Sequence, residues 1–170
     1  TDPTLPPGES PPPTPVTRLA DAGTADDHGG ADLVVVLDKA VNKVKPSGVT
    51  YVDAYRLVKI LTPAGCRDNG VLNWHYDPQS SHVEIRKDSI IRDGEYLPVD
   101  VAGIHDLPAP QAMIYWSDRV KLLQLPRLEV GDGVEVRTRR RGFTYALLAP
   151  ERPDDDRFVP PMPGEYFDIV

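Results

Sequence analysis

The stretch SDRVKLLQLPRLEVGDGVEVRTRRRGF, Ser117 to Phe143, reads as strand, tight turn, strand. Val134, Val136 and Thr138 alternate with Glu135, Arg137 and Arg139, the period-2 pattern of a half-buried strand. Gly131-Asp132-Gly133 marks the turn, with glycine supplying the positive φ values that such turns need. Nothing in the stretch carries chemistry, and the same grammar recurs through the middle of the chain.

Upstream, Leu33-Val34-Val35-Val36-Leu37 is a short β-branched run typical of a buried strand, broken by Pro46-Ser47-Gly48. Val49 to Leu61 follows. Val52, Ala54, Val58 and Ile60 lie on one face, and Tyr51, Tyr55, Leu57 and Leu61 on the other. Large apolar groups on both faces predict a central strand covered on two sides. Thr62-Pro63-Ala64-Gly65 ends it, and Val71 to Tyr76 is a further strand closed by Asp77-Pro78. Asp93-Gly94 between Ile90-Ile91 and Tyr96-Leu97 is a hairpin signal, because both residues tolerate left-handed geometry. Leu107-Pro108-Ala109-Pro110 marks a loop or sheet edge, since proline cannot donate to a ladder. No window shows a sustained helical period. The expected fold is all-β: an antiparallel β-sandwich-like domain over residues 31–149.

Two segments flank that domain. Residues 1–30 are rich in Pro, Gly, Thr and Asp. They hold few large apolar groups to offset ordering entropy, so they read as a proline-rich, poorly structured arm or linker. Residues 150–170 begin with the polar Arg152-Pro153-Asp154-Asp155-Asp156-Arg157 and finish on the β-prone Tyr166-Phe167-Asp168-Ile169-Val170. The apolar finish is read as truncation before a following domain, with an apolar docking face through Tyr166 to Val170. The chain also opens without Met or a recognisable signal peptide, which reads as a mature, trimmed or excised piece.

Composition narrows the function classes. The chain has 170 residues, net charge -7 and pI about 5.0, which argues against nucleic acid as the main partner. No run of about 20 apolar residues exists to span a membrane as a helix. Cys66 is the lone cysteine, so no intrachain disulfide forms.

Each candidate site has a plainer reading beside it. His28, His75, His82 and His105 are widely spaced and form no metal-ligand pair. Cys66 could pair with His75 or His105 as a nucleophile. It sits, however, in a turn-like loop with no helix N-terminus to activate it, and reads as a cysteine without function. Arg137, Arg139 and Arg141 share one strand face, with Arg140 on the other. They read as a solvated face balanced by acids on neighbouring strands, or as a docking surface for an acidic partner. Trp74, Tyr76, Tyr115 and Trp116 read as core or interface plugs, or as a carbohydrate-stacking surface. No catalytic, cofactor or metal residue is assigned, and no cofactor is expected.

The order of Ala31 to Asp38, Pro46-Ser47-Gly48, Tyr55 to Gly65, Tyr76-Asp77-Pro78, Ile91 to Gly94, Ser117-Asp118, Leu125-Pro126 and Glu129 to Asp132 resembles a bacterial family. That family is domain of unknown function 3857, the β domain found N-terminal to transglutaminase-like (papain-type) domains. The resemblance implies a non-catalytic accessory β module in an exported or envelope protein, periplasmic, cell-envelope or secreted. It would pack on, or present substrate to, an adjacent transglutaminase-like or cysteine-hydrolase domain that carries the chemistry. Its partner would be that domain or another envelope protein. Cys66 does not correspond to the family's downstream nucleophile, so no enzymatic activity is expected. The alternative is an independent glycan- or protein-binding module of the cell envelope.

Overall fold

A computed structural model describes residues 13–109, 118–143 and, as backbone alone, 164–169. Nine strands form two antiparallel sheets among these residues. In chain order they are β1 (Leu33–Val44), β2 (Val49–Ile60), β3 (Val71–Tyr76), β4 (Ser81–Arg92), β5 (Glu95–Pro98), β6 (His105–Pro108), β7 (Arg119–Gln124), β8 (Gly133–Phe143) and β9 (Gly164–Ile169). The larger sheet has six strands in the order β5-β4-β8-β2-β1-β9, and the smaller has three in the order β3-β7-β6.

The local signals account for most of these boundaries. β2 and β3 fall where alternation and the Thr62-Pro63 and Asp77-Pro78 breaks place them. Asp93 and Gly94 both take positive φ, 51° and 82°, as a two-residue hairpin between twisted strands requires. β6 is the edge strand that Pro108 foretells. β1 outruns its apolar core: it continues from Leu37 to Val44 because every residue there finds a partner on β2, ending at Val44 opposite Thr50. A register irregularity between Val35 and Leu37 separates the two halves.

The Ser117–Phe143 stretch departs from the simple strand-turn-strand reading. β7 belongs to the small sheet and β8 to the large one, so the residues between them cross the sandwich and do not join a hairpin. Leu125 and Leu128 plug the core on the way. Asp132 is buried and anchors the crossing. Its carboxylate accepts from Arg92 Nε at 2.9 Å, Arg92 Nη2 at 2.8 Å and the Glu129 amide at 2.7 Å. Only Gly131 uses positive φ (99°). Gly133 is glycine for space: a Cβ there would overlap the Leu19 side chain.

The core lies between the sheets, where Val58, Ile60, Ile90 and Val134 of the large sheet meet Leu123, Leu125 and Leu128. Trp74 and Tyr76 of β3 pack into the same interior. The opposite face of the large sheet is covered at one end by a helix that composition did not foretell. Pro15–Asp21 forms α1, with Thr14 as N-cap and Pro15 at its start. A helix this short is marginal alone. Leu19 holds it by packing on Leu57 and Ile91, a burial that contributes about 1.5–3 kcal/mol. Lys59 Nζ adds hydrogen bonds to the Leu19 and Gly23 carbonyls, each 2.8 Å. Within the N-terminal arm, α1 is thus docked on the sheet through Leu19 and Lys59. β2 is covered on both faces only at its Leu57–Ile60 end; toward Asp53 the α1-side face is open.

A second short helix, α2 (Pro63–Asp68), corrects the loop expected around Cys66. Thr62 caps it, its Oγ1 accepting from the Gly65 amide at 3.1 Å. Gly65 lies so close to the Asp32 carbonyl that no Cβ fits.

Candidate functional site: a basic groove on the outer sheet face

Register places three rows of side chains on the α1 side of the large sheet. Leu57 stands opposite Glu135, which stands opposite Ser89. Next come Tyr55, Arg137 and Lys87, then Asp53, Arg139 and Glu84. Period-2 alternation turns all of them to one face. The first row lies under α1, and the others are open to solvent.

Glu135 is the buried anion of this face, 1% exposed. An unpaired carboxylate at that depth would cost several kcal/mol. Lys87 Nζ meets Oε2 at 2.7 Å, and Arg137 Nη2 lies 3.4 Å from Oε1. Lys87 also sits 5.0 Å above the Tyr96 ring, and the Arg137 guanidinium 5.0 Å above Tyr55, both within cation–π range. The Tyr55 hydroxyl is buried without a hydrogen bond of normal geometry. Burial, reinforced by the Glu135 charge, pushes it up to about 12. Asp53 receives both arms of Arg139, at 2.6 Å each, and this pairing holds its carboxyl below the usual range.

These rows and α1 enclose an open groove of about 760 Å³. Among the described residues, Arg18, Lys39, Arg86, Lys87, Arg137 and Arg139 line it, against the single carboxylate of Asp53. Leu37 and Val41 of β1 form an aliphatic floor, with Pro13 and Pro15 at the α1 wall. The arrangement offers charge and shape for an anion. It brings no nucleophile next to a base.

The other sequence candidates lie elsewhere. Cys66 is half-buried in α2 against the inter-sheet core. No hydrogen bond joins it to a histidine among the described residues. His75 is on β3, His82 on β4 and His105 opens β6. His28 approaches the Ala22 carbonyl at 2.7 Å, and His82 meets Tyr76 edge-on at 6.3 Å. Among the described residues no three His, Cys, Asp or Glu side chains gather as a metal would need. Tyr76 is a core residue whose hydroxyl donates to Asp106 at 2.6 Å. Trp74 is half-buried beside it, while Tyr115 and Trp116 lie outside the described residues. Of the arginines, Arg139 finds the neighbouring-strand acid that the solvated-face reading requires. Arg140, on the opposite face, donates to the His75 carbonyl at 2.9 Å.

Sequence reasoning missed two buried acids. Glu135 occupies a position that alternation assigns to the solvated face, and nothing local marks it as covered. Asp88 stands two residues before Ile90 on β4, so it faces the inter-sheet core. It is 2% exposed, and neither carboxyl oxygen makes a hydrogen bond of normal geometry. Burial pushes its carboxyl up to about 7, with the Glu135 charge in the same sense and the Ser89 amide opposing. The signal available was an aspartate inside a strand that is otherwise apolar on that face.

No curated protein matches the chain. Among solved structures it is similar to part of a Parabacteroides distasonis protein described as a "putative protease". The TM-score is 0.52 with 15% identity, over 59% of this chain and 21% of that one. A CBM3a-L domain with flanking linkers from the scaffoldin cipA of the Clostridium thermocellum cellulosome gives a TM-score of 0.35 and 14% identity, over 62% of this chain and 67% of that one. The first likeness concerns the fold, and the chain spans about a fifth of that larger protein. Residues 46–170 match the model of a domain of unknown function with a solved structure, DUF3857, and the chain belongs to that family.

Proposed function

We propose that this domain is a non-catalytic accessory β module of an exported bacterial protein. It packs on, or presents substrate to, an adjacent transglutaminase-like or cysteine-hydrolase domain. The observation that carries the reading is the likeness of 59% of this chain to about a fifth of a larger protein described as a "putative protease". Family membership supports it. So does the setting of Cys66, packed against the core with no base hydrogen-bonded to it, whereas an activated thiol needs an oriented partner.

The test is thiol-dependent turnover of peptide and amine substrates by the wild-type chain and by Cys66→Ala. Neither is expected to show any. Turnover by the wild type that Cys66→Ala abolishes overturns the reading. A second arm concerns the neighbour: fused at its C-terminal end to a transglutaminase-like domain, the domain should melt higher and self-associate less. An extended chain with unchanged stability and association favours the independent binding module. Within that alternative, the placing of Trp74 and Tyr76 in the core favours protein over glycan as ligand.

A further inference from the structure

We propose that the basic groove between α1 and strands β1, β2, β8 and β4 binds a short, extended acidic peptide segment. The inference stands whether or not a catalytic domain adjoins the module.

The first argument is charge. The chain as a whole is acidic, net -7, yet this groove gathers six cationic side chains. Among the described residues, the carboxylates within reach are already engaged. Asp53 spends both oxygens on Arg139. Glu135 is buried beneath, held by Lys87. Arg86 has Glu84 at 3.4 Å, with both side chains in solvent. Arg137 remains 55% exposed, with Glu135 at 3.4 Å. Its guanidinium lies over the Tyr55 ring, which fixes the plane of the fork that would meet a carboxylate. A surplus of oriented cations selects an anionic partner and speeds its arrival.

The second argument is shape and lining. The groove crosses four adjacent strands, β4-β8-β2-β1, a width of about 15 Å at the usual strand spacing. That accommodates four to five residues of extended chain at about 3.3 Å each. Leu37 and Val41 in the floor and Pro13 and Pro15 in the wall suit the aliphatic parts of a peptide. A sugar would want a bare aromatic face to stack on, but the Tyr55 face is taken by Arg137. A nucleic acid longer than the groove would carry its phosphates past the groove cations onto the acidic remainder of the protein, which a peptide of four to five residues would not reach.

The experiment is titration of the chain, followed by fluorescence anisotropy, with a labelled heptapeptide of alternating Ser and Glu. The same peptide with Gln for Glu, and polygalacturonate, are the comparison ligands. At about 50 mM salt, where screening is weak, the Glu peptide should bind saturably and the Gln peptide at least tenfold more weakly. Arg137→Gln and Arg18→Gln should each weaken binding about tenfold. Arg67→Gln, on α2 and away from the groove, removes the same charge and should change it less than twofold. Arg18 lies on the helix surface, so it carries the test should Arg137→Gln fail to fold. No saturable binding up to about 1 mM peptide would overturn the proposal. So would equal loss with Arg67→Gln, equal binding of the Gln peptide, or tighter binding of polygalacturonate.

Discussion

Asp88→Asn is expected to stabilise the domain, and to do so more at pH 8 than at pH 5. The carboxyl is 2% exposed and without a well-formed hydrogen bond, and its folded-state value is pushed from 3.8 to about 7. The sign follows from proton binding. Between about pH 4 and pH 7 the folded state holds this proton more tightly than the unfolded state. Stability therefore falls as pH rises through that window and levels off above about 7. Each unit of difference corresponds to about 1.4 kcal/mol, so the full penalty above pH 7 is at most about 4 kcal/mol, of which about 2–3 kcal/mol develops between pH 5 and pH 8. Asparagine removes the ionisation but keeps a buried amide, which itself costs about 1–3 kcal/mol without partners. The protonated carboxyl at pH 5 carries a similar cost, so the net gain should be little or none at pH 5 and about 2–3 kcal/mol at pH 8. Asp88→Val, close in volume and suited to a strand, should gain more at both pH values.

The assay is urea unfolding followed by tryptophan fluorescence, with wild type, Asp88→Asn and Asp88→Val each measured at pH 5 and pH 8. Taking the difference between variant and wild type at each pH cancels the titration of groups common to both. A difference that is the same at pH 5 and pH 8 would refute the reasoning. So would a variant less stable than wild type at pH 8, because the carboxylate would then have a native partner of value.

Three further outcomes follow from the packing. Leu19→Ala should cost about 2–4 kcal/mol and make residues 13–30 more sensitive to limited proteolysis than in the wild type. Gly133→Ala should cost about 1–3 kcal/mol through overlap with Leu19. Combined with Leu19→Ala it should be strongly non-additive in a double-mutant cycle of urea unfolding, since one methyl would occupy the space that the other change vacates. Lys87→Met strands the buried Glu135 with only the longer Arg137 contact and should cost about 3–5 kcal/mol, whereas Lys87→Met with Glu135→Leu should recover most of that loss by thermal melting.

What was legible in the chain was local, and what was not legible was decided between distant segments. The Asp93-Gly94 hairpin, the β2 and β3 boundaries and the breaks at Thr62-Pro63 and Asp77-Pro78 each rest on a few neighbouring residues whose backbone preferences leave little choice. Gly131-Asp132-Gly133 shows the limit. Its glycines promise a turn, and there is one, but the partners of the strands on either side are set by the crossing anchored through Arg92 and Asp132. Those two residues are far apart in sequence and carry no mutual signal. α1 was hidden for a related reason. With seven residues and one buried side chain, it has no period to detect, and its stability comes from Leu57, Ile91 and Lys59 supplied by the sheet. The Arg137, Arg139 and Arg141 row was visible as a face. That α1 would wall off one side of it and make a groove was not.

The three buried acids, Asp88, Asp132 and Glu135, differ in a way that bears on function. Asp132 and Glu135 are each matched by cations at hydrogen-bonding distance, so their burial locks structure: one fixes the crossing between sheets, the other positions Lys87 and Arg137 at the groove. Asp88 has no such match, and its destabilisation is uncompensated in the described domain. A paired acid beneath the basic face gives order there, because Glu135 pairs with the Lys87 ammonium and the Arg137 guanidinium while the Arg137 side chain stays 55% exposed. Removing Glu135 should therefore disturb ligand binding through the arrangement of those cations even though it adds positive charge to the face. A groove acting by net charge alone would bind an acidic peptide more tightly after Glu135→Gln. A groove acting by oriented cations would bind it more weakly, and the second outcome is the one this geometry requires.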